Sequence, residues 1–500
     1  MNEGHACVAQ PLIDHQHASC DLVAIRNPAS LHEIVGQMAC ATAEIVDAAV
    51  RSAHAAGRGW ARTPVEERVE RLAAVVPLWE AALADQARLL TREQGKVLWE
   101  SVADCAGPKL ITRYFASLAP AALRAQRVED ERGTTIQRLV PYGVTVVIEP
   151  WNYPVYLAFQ HVVPALLAGN TVVFKPPETA PLSVSRALET LSLRLPKGVL
   201  NIVPGLGPVV GPALTGHPLV RKVLFTGSTA TGRSILKTAA DNVKSVSLEL
   251  GGNDPAVVLP DTALTDELMS EFVRGVFTCT GQVCFAIKRI YVHADMYDAF
   301  VDRFSGAVDA ITVGNGLDPG VTMGPINNER QFRKLERLMQ ATRQTSARIT
   351  TLGRAADEST WKDGYFMRPS VVSHIGADEP LVREEQFGPI VPVLPYTEVT
   401  QAVEEANRSE FGLCASVWSD DVEQALAVGD ELSAGTVFVN THRMGASDMT
   451  MPFGGMKQSG LGRTHNVDIL RECSETQVLA YRANTQKFPG PDMVRLIGGA

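Results

Sequence analysis

The sequence predicts an α/β protein with two doubly wound domains and a small β extension. Short β-branched strands alternate with helical stretches from about residue 143 to 251, and a second such series runs from about residue 255 to 454. Strands that alternate with helices form parallel sheets covered by helices on both faces. Ligands bind such a sheet at the carboxyl ends of its strands, so we expect the functional residues there. The 500-residue length fits this division, since a domain takes roughly 100–200 residues.

A helical region precedes the first sheet. Residues 41–118 are rich in alanine and carry apolar residues three and four apart, which indicates amphipathic helices. Residues 126–139 are charged and then alternate, which is typical of a strand outside that region. The strands predicted for the first sheet are 143–148 (GVTVVI), 171–174 (TVVF), 199–203 (VLNIV), 222–225 (KVLF) and 245–250 (SVSLEL). We expect residues 1–120 and 142–251 to form the first domain.

The second sheet is predicted from four further strands. They are residues 289–292 (RIYV), 390–394 (IVPVL), 415–418 (ASVW) and 436–439 (TVFV). We expect the second domain to span residues 252–460. Residues 475–482 (ETQVLAYR) read as an edge strand. Segments 121–141 and 470–490 are therefore expected to form a bridging β unit that makes oligomer contacts.

Composition excludes several classes of protein. The 46 Lys and Arg residues against 55 Asp and Glu residues give a net charge of −9, which argues against nucleic-acid binding. We find no apolar run of 18 residues and no signal-like N-terminus, so no membrane association is expected. The eight scattered cysteines fit a reducing cytoplasm better than a disulfide framework. The histidines and cysteines of residues 5–20 match no familiar zinc spacing, so we expect a flexible leader and no metal site.

Two residues carry the chemistry of a nucleophile and a base. Cys284 follows Gly-Gln-Val directly before a predicted strand, and Glu249 lies at the end of an apolar strand. A thiolate is a strong nucleophile, and a carboxylate in apolar surroundings has the raised pKa of a base that works near neutral pH. Taken singly, the cysteine could be an inert buried residue and the glutamate a solvated charge.

Other polar residues follow the strands of the first sheet. Asn152 lies between two prolines after the first strand, where its amide could donate to a developing oxyanion. Lys175 and Glu178 follow the second strand and suit the ribose and phosphate of a nucleotide, although a surface ion pair would look the same. Residues 225–234 (FTGSTATGRS) nearly match a P-loop, but Arg233 stands where a lysine is needed. That disfavours a nucleotide hydrolase or kinase, and a dinucleotide pyrophosphate fits the same helix start.

Together these segments resemble the aldehyde dehydrogenase superfamily over residues 27–482. The matching motifs, in the family's order, are 150–154 (PWNYP), 168–176 (AGNTVVFKP), 225–229 (FTGST), 248–252 (LELGG), 281–284 (GQVC), 385–389 (EQFGP) and 452–460 (PFGGMKQSG). The resemblance implies a Rossmann-like cofactor-binding domain and a catalytic domain. It also implies oxidation of an aldehyde to an acid with NAD, NADP being a second cofactor that the pattern allows.

The resemblance also implies roles for individual residues. Cys284 matches the nucleophile that forms a thiohemiacetal and then a thioester, Glu249 matches the base that activates water, and Asn152 matches the oxyanion donor. The positions that match cofactor ligands are Trp151, Lys175, Glu178, Gly227, Ser228, Glu385 and Phe387. The positions that match the substrate pocket are Tyr153, Tyr156, Leu157, Gln160, Phe285 and Phe453. These side chains suit an apolar aliphatic or aromatic aldehyde, and a homodimer or homotetramer is expected.

Some features leave alternatives open. Cys279 is a competing nucleophile outside the Gly-Gln context, and 463–466 (RTHN) departs from the family's usual Arg-Glu-Gly. A coenzyme-A-acylating semialdehyde dehydrogenase would lack the glutamate base, and a catalytically silent binding member would lack part of the catalytic trio. Arg443 and His442 precede the last motif, where they could meet an acidic substrate.

Overall fold

The computed structural model of the protein describes residues 7–130, 133–443 and 449–481. The chain begins with short strands and then five helices, whose apolar residues recur three and four apart as the sequence predicts; α1, for example, buries Val46, Val50 and Trp60. These elements are β1 (Cys7–Ala9), β2 (Leu12–Ile13), β3 (Gln16–His17), β4 (Leu22–Asn27), β5 (Ser30–Ala39), α1 (Ala43–Arg62), α2 (Val65–Ala73), α3 (Val76–Gln94), α4 (Leu98–Cys105) and α5 (Gly107–Ala122).

The expectation of a flexible leader is wrong for the described part of the first twenty residues. Strand β1 pairs in parallel with β5, in register from Cys7 opposite Gly36 to Ala9 opposite Met38. Leu12 of β2 is fully buried against the core of the first large sheet. The leader is folded because its alternating apolar residues find buried partners, a signal too short to recognise in the sequence alone.

A three-stranded β unit connects the helical region to the end of the chain. It contains β6 (Gln126–Asp130) and β7 (Gly133–Pro141), which pair antiparallel with each other and, through β7, with the last strand of the described chain. The unit leaves several large apolar side chains exposed, among them Val128, Val478 and Tyr481.

The first large sheet has five parallel strands at its centre. Its elements are β8 (Val144–Ile148), α6 (Pro154–Leu167), β9 (Thr171–Lys175), α7 (Leu182–Ser192), β10 (Leu200–Ile202), α8 (Gly207–Thr215), β11 (Val220–Thr226), α9 (Thr229–Ala240) and β12 (Ser245–Glu249). The central order is β12-β11-β8-β9-β10, so the order reverses between β8 and β11. A doubly wound sheet binds its ligand in the crevice at such a reversal.

Alternate residues of these strands form two cores. Val146, Val173 and Val223 pack on one face of the sheet, while Val147 and Leu224 pack on the other. This alternation is the period of two that strands impose, and both faces are apolar because helices cover both. Residue for residue, the buried strands are therefore the most predictable part of the chain.

The second large sheet has seven strands, which lie in the order β16 (Arg348–Thr351), β18 (Ser370–Ser373), β19 (Ile390–Tyr396), β14 (Ile287–His293), β13 (Asp254–Val258), β21 (Cys414–Trp418) and β22 (Thr436–Val439). The elements from its first strand to the end of the described chain are β13 (Asp254–Val258), α10 (Asp266–Phe277), β14 (Ile287–His293), α11 (Tyr297–Asp309), β15 (Thr312–Val313), α12 (Glu329–Thr342), β16 (Arg348–Thr351), β17 (Arg354–Ala355), β18 (Ser370–Ser373), α13 (Pro380–Arg383), β19 (Ile390–Tyr396), α14 (Val399–Asn407), β20 (Phe411–Gly412), β21 (Cys414–Trp418), α15 (Val422–Asp430), β22 (Thr436–Val439), β23 (Met456–Lys457), β24 (Gly460–Leu461), α16 (Asp468–Glu472) and β25 (Ser474–Tyr481).

The predicted fold class, two doubly wound units with a small β extension, is confirmed. Strand β25 pairs with all of β7 except Gly133, from Ser474 opposite Pro141 to Tyr481 opposite Thr134. Residue 482 and the rest of the predicted segment 470–490 beyond it lie outside the described residues. None of the helices in the described ranges has the length and apolar character that a membrane crossing requires.

Candidate active site

Asn152 lies in the loop after β8, at the point where the strand order of the first sheet reverses. Its side chain is 3% exposed, and its Nδ2 donates to the Gln282 carbonyl at 2.9 Å. The amide is thus attached to the segment that carries Cys284, and its second N–H remains for another acceptor. Pro150 and Pro154 bracket the loop, and Pro154 begins α6. The local sequence therefore aims this amide by fixing its backbone.

A turn with left-handed backbone conformation precedes Cys284 and sets its position. Helix α10 ends at Phe277, and Cys279, Thr280 and Gly281 then have φ of 51°, 60° and 70°. A Cβ at Gly281 would lie 2.4 Å from the Gly388 carbonyl oxygen, so glycine is required there. After the turn, Cys284 is partly exposed.

The surroundings of Cys284 hold its thiol in the neutral form. Burial of the sulfur raises the pKa of Cys284 to about 12, with Lys288 opposing and Asp254 adding to the rise. Lys288 also fixes the backbone, because its Nζ donates to the Cys284 carbonyl at 2.9 Å. The resting group is thus a thiol, which becomes a nucleophile when it loses its proton.

The competing cysteine occupies a different environment. Cys279 is fully buried, its N–H donates to Glu100 Oε1 at 2.6 Å, and its Sγ lies 3.6 Å from Gln94 Nε2. Burial raises its pKa to about 12. A nucleophile must be reached by its substrate, and in this respect Cys284 differs from Cys279.

Glu249 is enclosed at the end of β12. It is 8% exposed, and burial raises its pKa well above the usual carboxyl range, with Arg463 opposing and Glu149 adding to the rise. The backbone of Gly454, in the motif of residues 452–460, packs closely against Glu249, since a Cβ at Gly454 would lie 2.9 Å from Glu249 Oε1. Such a carboxyl is a strong base once it is ionised.

A buried cation supports the Asn152 loop, and the sequence analysis missed it. Lys96 lies between α3 and α4 with its Nζ fully buried, 2.9 Å from Asp104 Oδ2 and 2.5 Å from the Asn152 carbonyl oxygen. Its Nζ also lies 3.7 Å from the centre of the Tyr153 ring. Burial lowers the pKa of Lys96, but Asp104, Cys279 and Glu100 together outweigh burial and raise that pKa overall. No local sequence signal marks this network, because it joins residues 56 positions apart.

Lys175 and Glu178 lie at the carboxyl end of β9. Lys175 is 5% exposed, so burial lowers its pKa, and its Nζ donates to the Pro176 carbonyl at 3.0 Å. Glu178 Oε1 accepts a short hydrogen bond from Gly207 N at the start of α8. Glu178 thus stabilises a helix N-terminus, a favourable place for a carboxylate. Neither side chain is freely solvated.

An aromatic pair and a carboxylate line the gap between the two large sheets. The rings of Trp151 and Phe387 meet edge to face, with centroids 5.6 Å apart. Glu385 Oε1 accepts from Gly252 N at 3.1 Å and lies 3.9 Å from Lys288 Nζ. Residues from both sheets therefore meet at this point.

The start of α9 is open to solvent. Ser228 is its N-cap, is exposed, and accepts from Thr231 N at 3.3 Å. Gly227 is half-buried, and its N–H donates to the Glu249 carbonyl at 2.9 Å. The remaining first-turn N–H groups of such a helix form a site for an anion, so this helix start fits a phosphate.

The predicted pocket residues fall into two apolar clusters beside the cysteine loop. One cluster joins Tyr153, Tyr156, Leu157 and Phe285 with Cys279, Val283 and Ala286. The other joins Cys284, Phe285 and Phe453 with Leu413, Cys414 and Phe438. Phe285 belongs to both and links them. Gln160 lies one turn further along α6 and is 4% exposed.

His442 and Arg443, which the sequence left open as contacts for an acidic substrate, both have partners within the protein. His442 is fully buried, and its ring nitrogens lie 2.9 Å from Ser416 Oγ and 2.8 Å from the Phe285 carbonyl oxygen. Arg443 Nε donates to Glu271 Oε2 at 2.8 Å. Both residues are already engaged in holding the loop after β22. The described residues contain no cluster of His, Cys, Asp or Glu suited to a metal ion.

Comparison with known proteins gives a consistent result. The model of the aldehyde dehydrogenase family matches residues 15–479. Phenylacetaldehyde dehydrogenase of Pseudomonas fluorescens is 38% identical over 451 residues, covering 88% of this chain and 89% of that protein. The NADP(+) succinate-semialdehyde dehydrogenase of Escherichia coli (strain K12) is 34% identical over 477 residues, covering 93% and 95%.

A solved structure agrees with these sequence relatives. Betaine aldehyde dehydrogenase of Staphylococcus aureus, crystallised with NAD+, superimposes with a TM-score of 0.92 at 32% identity and covers 96% of each chain. The chain therefore belongs to the aldehyde dehydrogenase family, whose members are oxidoreductases that act on aldehydes.

Proposed function

We propose that the protein oxidises an apolar aliphatic or aromatic aldehyde to its carboxylic acid by a covalent, hydrolytic mechanism. Cys284 is the nucleophile, Asn152 the oxyanion donor and Glu249 the base. The observation that carries the proposal is the contrast between two cysteines of one loop, since Cys284 is partly exposed while Cys279 is sealed. Exposure decides between them because both thiols have pKa values raised to about 12.

Acylation begins when the Cys284 thiol gives its proton to solvent water and its sulfur bonds to the aldehyde carbon. The carbonyl oxygen becomes an oxyanion, which the free N–H of the Asn152 amide stabilises; in known enzymes such a donor contributes about 3–4 kcal/mol. Loss of hydride from the same carbon then leaves a thioester on Cys284. Glu249 takes a proton from water, the hydroxide adds to the thioester, and the carbon–sulfur bond breaks to release the acid.

The cofactor proposed is NAD, with NADP as a tolerated second choice. NAD, when bound, accepts the hydride. The chain's residues fit it: the open start of α9 suits the pyrophosphate, Lys175 and Glu178 suit the adenosine ribose, and Trp151 with Phe387 and Glu385 suits the nicotinamide end. A Cβ at Gly251 would lie 2.6 Å from Glu385 Oε2, so the backbone beside that carboxylate is kept bare.

The substrate class rests on the lining of the site. The two clusters around Cys284 are built mainly from aromatic and aliphatic side chains, and the nearby side chains of His442 and Arg443 already have partners within the protein. An acidic aldehyde would need a free cation to offset its desolvation. The 38% identical relative named for phenylacetaldehyde points in the same direction.

The alternatives make different predictions. A coenzyme-A-acylating enzyme would pass the acyl group to a thiol and would have no use for a buried base at Glu249. A catalytically silent member would have no reason to retain a reachable Cys284. The β unit of β6, β7 and β25, with its exposed apolar residues, is proposed to bury them against a second copy in a homodimer or homotetramer, since unpaired sheet edges are usually covered.

The decisive experiment compares Cys284→Ala with Cys279→Ala in the purified protein. Absorbance at 340 nm is followed with NAD and phenylacetaldehyde, an aliphatic aldehyde or succinate semialdehyde, and the product is identified as acid or acyl thioester. We expect Cys284→Ala to abolish turnover while NAD binding persists, and Cys279→Ala to stay active. Glu249→Gln should release one equivalent of NADH and stall as an acyl-enzyme. Activity in Cys284→Ala, or its loss only in Cys279→Ala, contradicts the assignment.

A further inference from the structure

Three polar side chains form a row across the carboxyl ends of neighbouring strands in the first sheet. Thr226 ends β11 and pairs in register with Glu249 at the end of β12. On the other side of β11, Phe225 pairs with Ile148 of β8, which places Glu149 beside Thr226. Neighbouring strands lie about 4.8 Å apart, and residues in register point to the same face. Thr226 therefore lies between the two glutamates; we call these three residues the carboxyl row.

A histidine closes one end of the carboxyl row. His161 lies on α6, and its Nδ1 is 2.5 Å from Glu149 Oε1, with the two side chains 1% and 0% exposed. A charged pair this deeply buried is costly unless it is well matched, and apolar residues of similar size would serve packing at least as well.

The atoms along the carboxyl row are unsatisfied. Thr226 Oγ1, Glu149 Oε2 and Glu249 Oε2 are all buried, and none has a hydrogen-bond partner among residues 7–130, 133–443 and 449–481. Thr226 still lowers the pKa of Glu149, so its hydroxyl lies near that carboxyl without the geometry of a full hydrogen bond. Buried polar atoms are almost always paired. The three oxygens therefore have hydrogen-bonding capacity left for one another along the row.

We infer that the Glu149–His161 pair is the internal store for the proton that Glu249 takes from water during thioester hydrolysis. The inference rests on the proposed function, because it assumes that Glu249 is the hydrolytic base. The Thr226 hydroxyl joins the two carboxyl groups and passes the proton between them. Thr226, Glu149 and His161 thus act through Glu249 as positioning residues.

The proton balance of this step closes within the protein. Water gives a proton to Glu249 and a hydroxide to the acyl carbon, and the carbon–sulfur bond breaks to leave a thiolate on Cys284. Glu249 passes its proton to Thr226 Oγ1 while the hydroxyl proton of Thr226 moves to Glu149 Oε2. The same route returns the proton to the thiolate. Acyl-enzyme and water become acid and thiol, with no other reactant.

The groups around the row suit this exchange. Burial raises the pKa of Glu149 and of Glu249, so each carboxyl binds a proton more readily than an exposed one does. His161 faces Glu149 and, beyond it, His465, whose pKa is lowered to about 4 by burial with His161 adding to the effect. His465 is therefore neutral near pH 7.

Other charged residues face Glu249. Arg463 favours its ionised form, while Glu149 and Glu472 disfavour it. Lys222 and Ser247 both contact Glu472, at 3.2 Å and 2.8 Å, so that carboxylate already has donors of its own. Glu472 is therefore held for other partners, and Glu149 is the carboxyl that Thr226 joins to Glu249.

The test uses two substitutions that differ by one hydroxyl. Thr226→Val keeps the shape of the side chain but cannot carry a proton, whereas Thr226→Ser keeps the hydroxyl. Acyl-enzyme is formed with NAD and aldehyde, the aldehyde is removed, and decay of the acyl mass on Cys284 is timed by quenched-flow mass spectrometry across pH. We expect Thr226→Val to slow decay at least about tenfold and Thr226→Ser to stay within about twofold of the parent.

One further variant tests the histidine at the end of the carboxyl row. His161→Gln should slow the decay of the acyl-enzyme and alter the pH profile of that decay. The NADH burst, thermal midpoint and NAD affinity should be the same in Thr226→Val as in Thr226→Ser. Equal decay rates in Thr226→Val and Thr226→Ser overturn the relay, as does unchanged decay in a folded His161→Gln. Failure of the proposed function would look different, because the parent protein itself would then form no acyl-enzyme on Cys284.

Discussion

Replacing Lys96 by methionine tests whether a buried cation holds the Asn152 loop in place. Lys96→Met keeps the length of the side chain and removes its charge. Lys96 Nζ is fully buried, 2.9 Å from Asp104 Oδ2 and 2.5 Å from the Asn152 carbonyl oxygen. The substitution therefore leaves two buried acceptors without their donor, and Asp104 without its counter-charge.

The expected loss of stability is large for a single substitution. Removing one partner of a buried ion pair costs about 3–5 kcal/mol, because the remaining charge stays desolvated. If the 500 residues unfold together, the unfolding entropy is about 1 kcal/mol per degree, at roughly 2.1 cal/mol/K per residue. The thermal midpoint should then fall by about 3–5 °C, and by about twice that if one domain unfolds alone.

The same substitution should reduce turnover more than cofactor binding. The Asn152 backbone loses the donor that fixes its carbonyl, so its amide is no longer held in one position. Complete loss of an oxyanion donor costs about 100- to 1000-fold in kcat. A loosened donor should cost less, on the order of tenfold, while the Kd for NAD stays close to that of the parent.

Matched variants separate this effect from a general loss of a lysine. Lys109→Met removes a lysine that pairs with Glu80 at 2.6 Å on the surface, where the two side chains are 36% and 37% exposed. Such a pair contributes about 0–1 kcal/mol, so the midpoint should hardly move. Lys96→Met combined with Asp104→Asn should recover part of the lost stability. Scanning calorimetry and steady-state kinetics at 25 °C give both readouts. If Lys96→Met and Lys109→Met behave alike, the buried network supports neither the fold nor the loop.

Three further predictions concern the cofactor, the thiol and assembly. Glu178→Ser should shift the ratio of kcat/KM toward NADP, because a carboxylate beside the ribose disfavours a 2′-phosphate; a parent that uses NADP at least as well as NAD contradicts this. The rate at which iodoacetamide alkylates Cys284 without cofactor should still be rising with pH at pH 9, because a thiol with its pKa raised to about 12 ionises only in strong base. A rate that reaches a plateau near pH 7 would refute this. Light scattering should find a dimer or tetramer, and Val478→Lys in β25 should weaken it, while a monodisperse monomeric parent speaks against the β unit as an interface.

Nine strands of the two large sheets could be predicted because they are short, β-branched and largely buried, whereas β13, β16 and β18 of the second sheet were not predicted. Residues 436–439 are strand β22 as expected, and the other predicted strands differ from the structure by one to three residues at their ends. The leader was missed because strand β1 has only three residues and gains its stability from β5, far along the chain. A periodicity argument needs more residues than such a strand contains.

In the candidate site too, features set by local sequence could be predicted, whereas features set by contacts between distant segments could not. Cys284 could be singled out by its Gly-Gln context, but its difference from Cys279 depends on burial, which the sequence does not display. Glu178 could be placed at a strand end, yet its hydrogen bond to Gly207 N appears only in the structure. Lys96 escaped notice because both of its acceptors belong to other elements. Contacts between elements, and not local pattern, decide which charges are buried.

The loop after β8 joins the two halves of the proposed chemistry. Glu149 and Asn152 lie three residues apart on it, and each is held by a buried side chain from a different element: His161 of α6 holds Glu149, and Lys96, between α3 and α4, holds the Asn152 backbone. One end of the loop thus serves hydrolysis and the other serves acylation. Because the same short loop carries both, a change that moves it should alter both steps together, whereas substitutions confined to the Thr226 hydroxyl should alter hydrolysis alone. This contrast follows from the register of β8, β11 and β12, which places Thr226 beside Glu149 but on a separate strand.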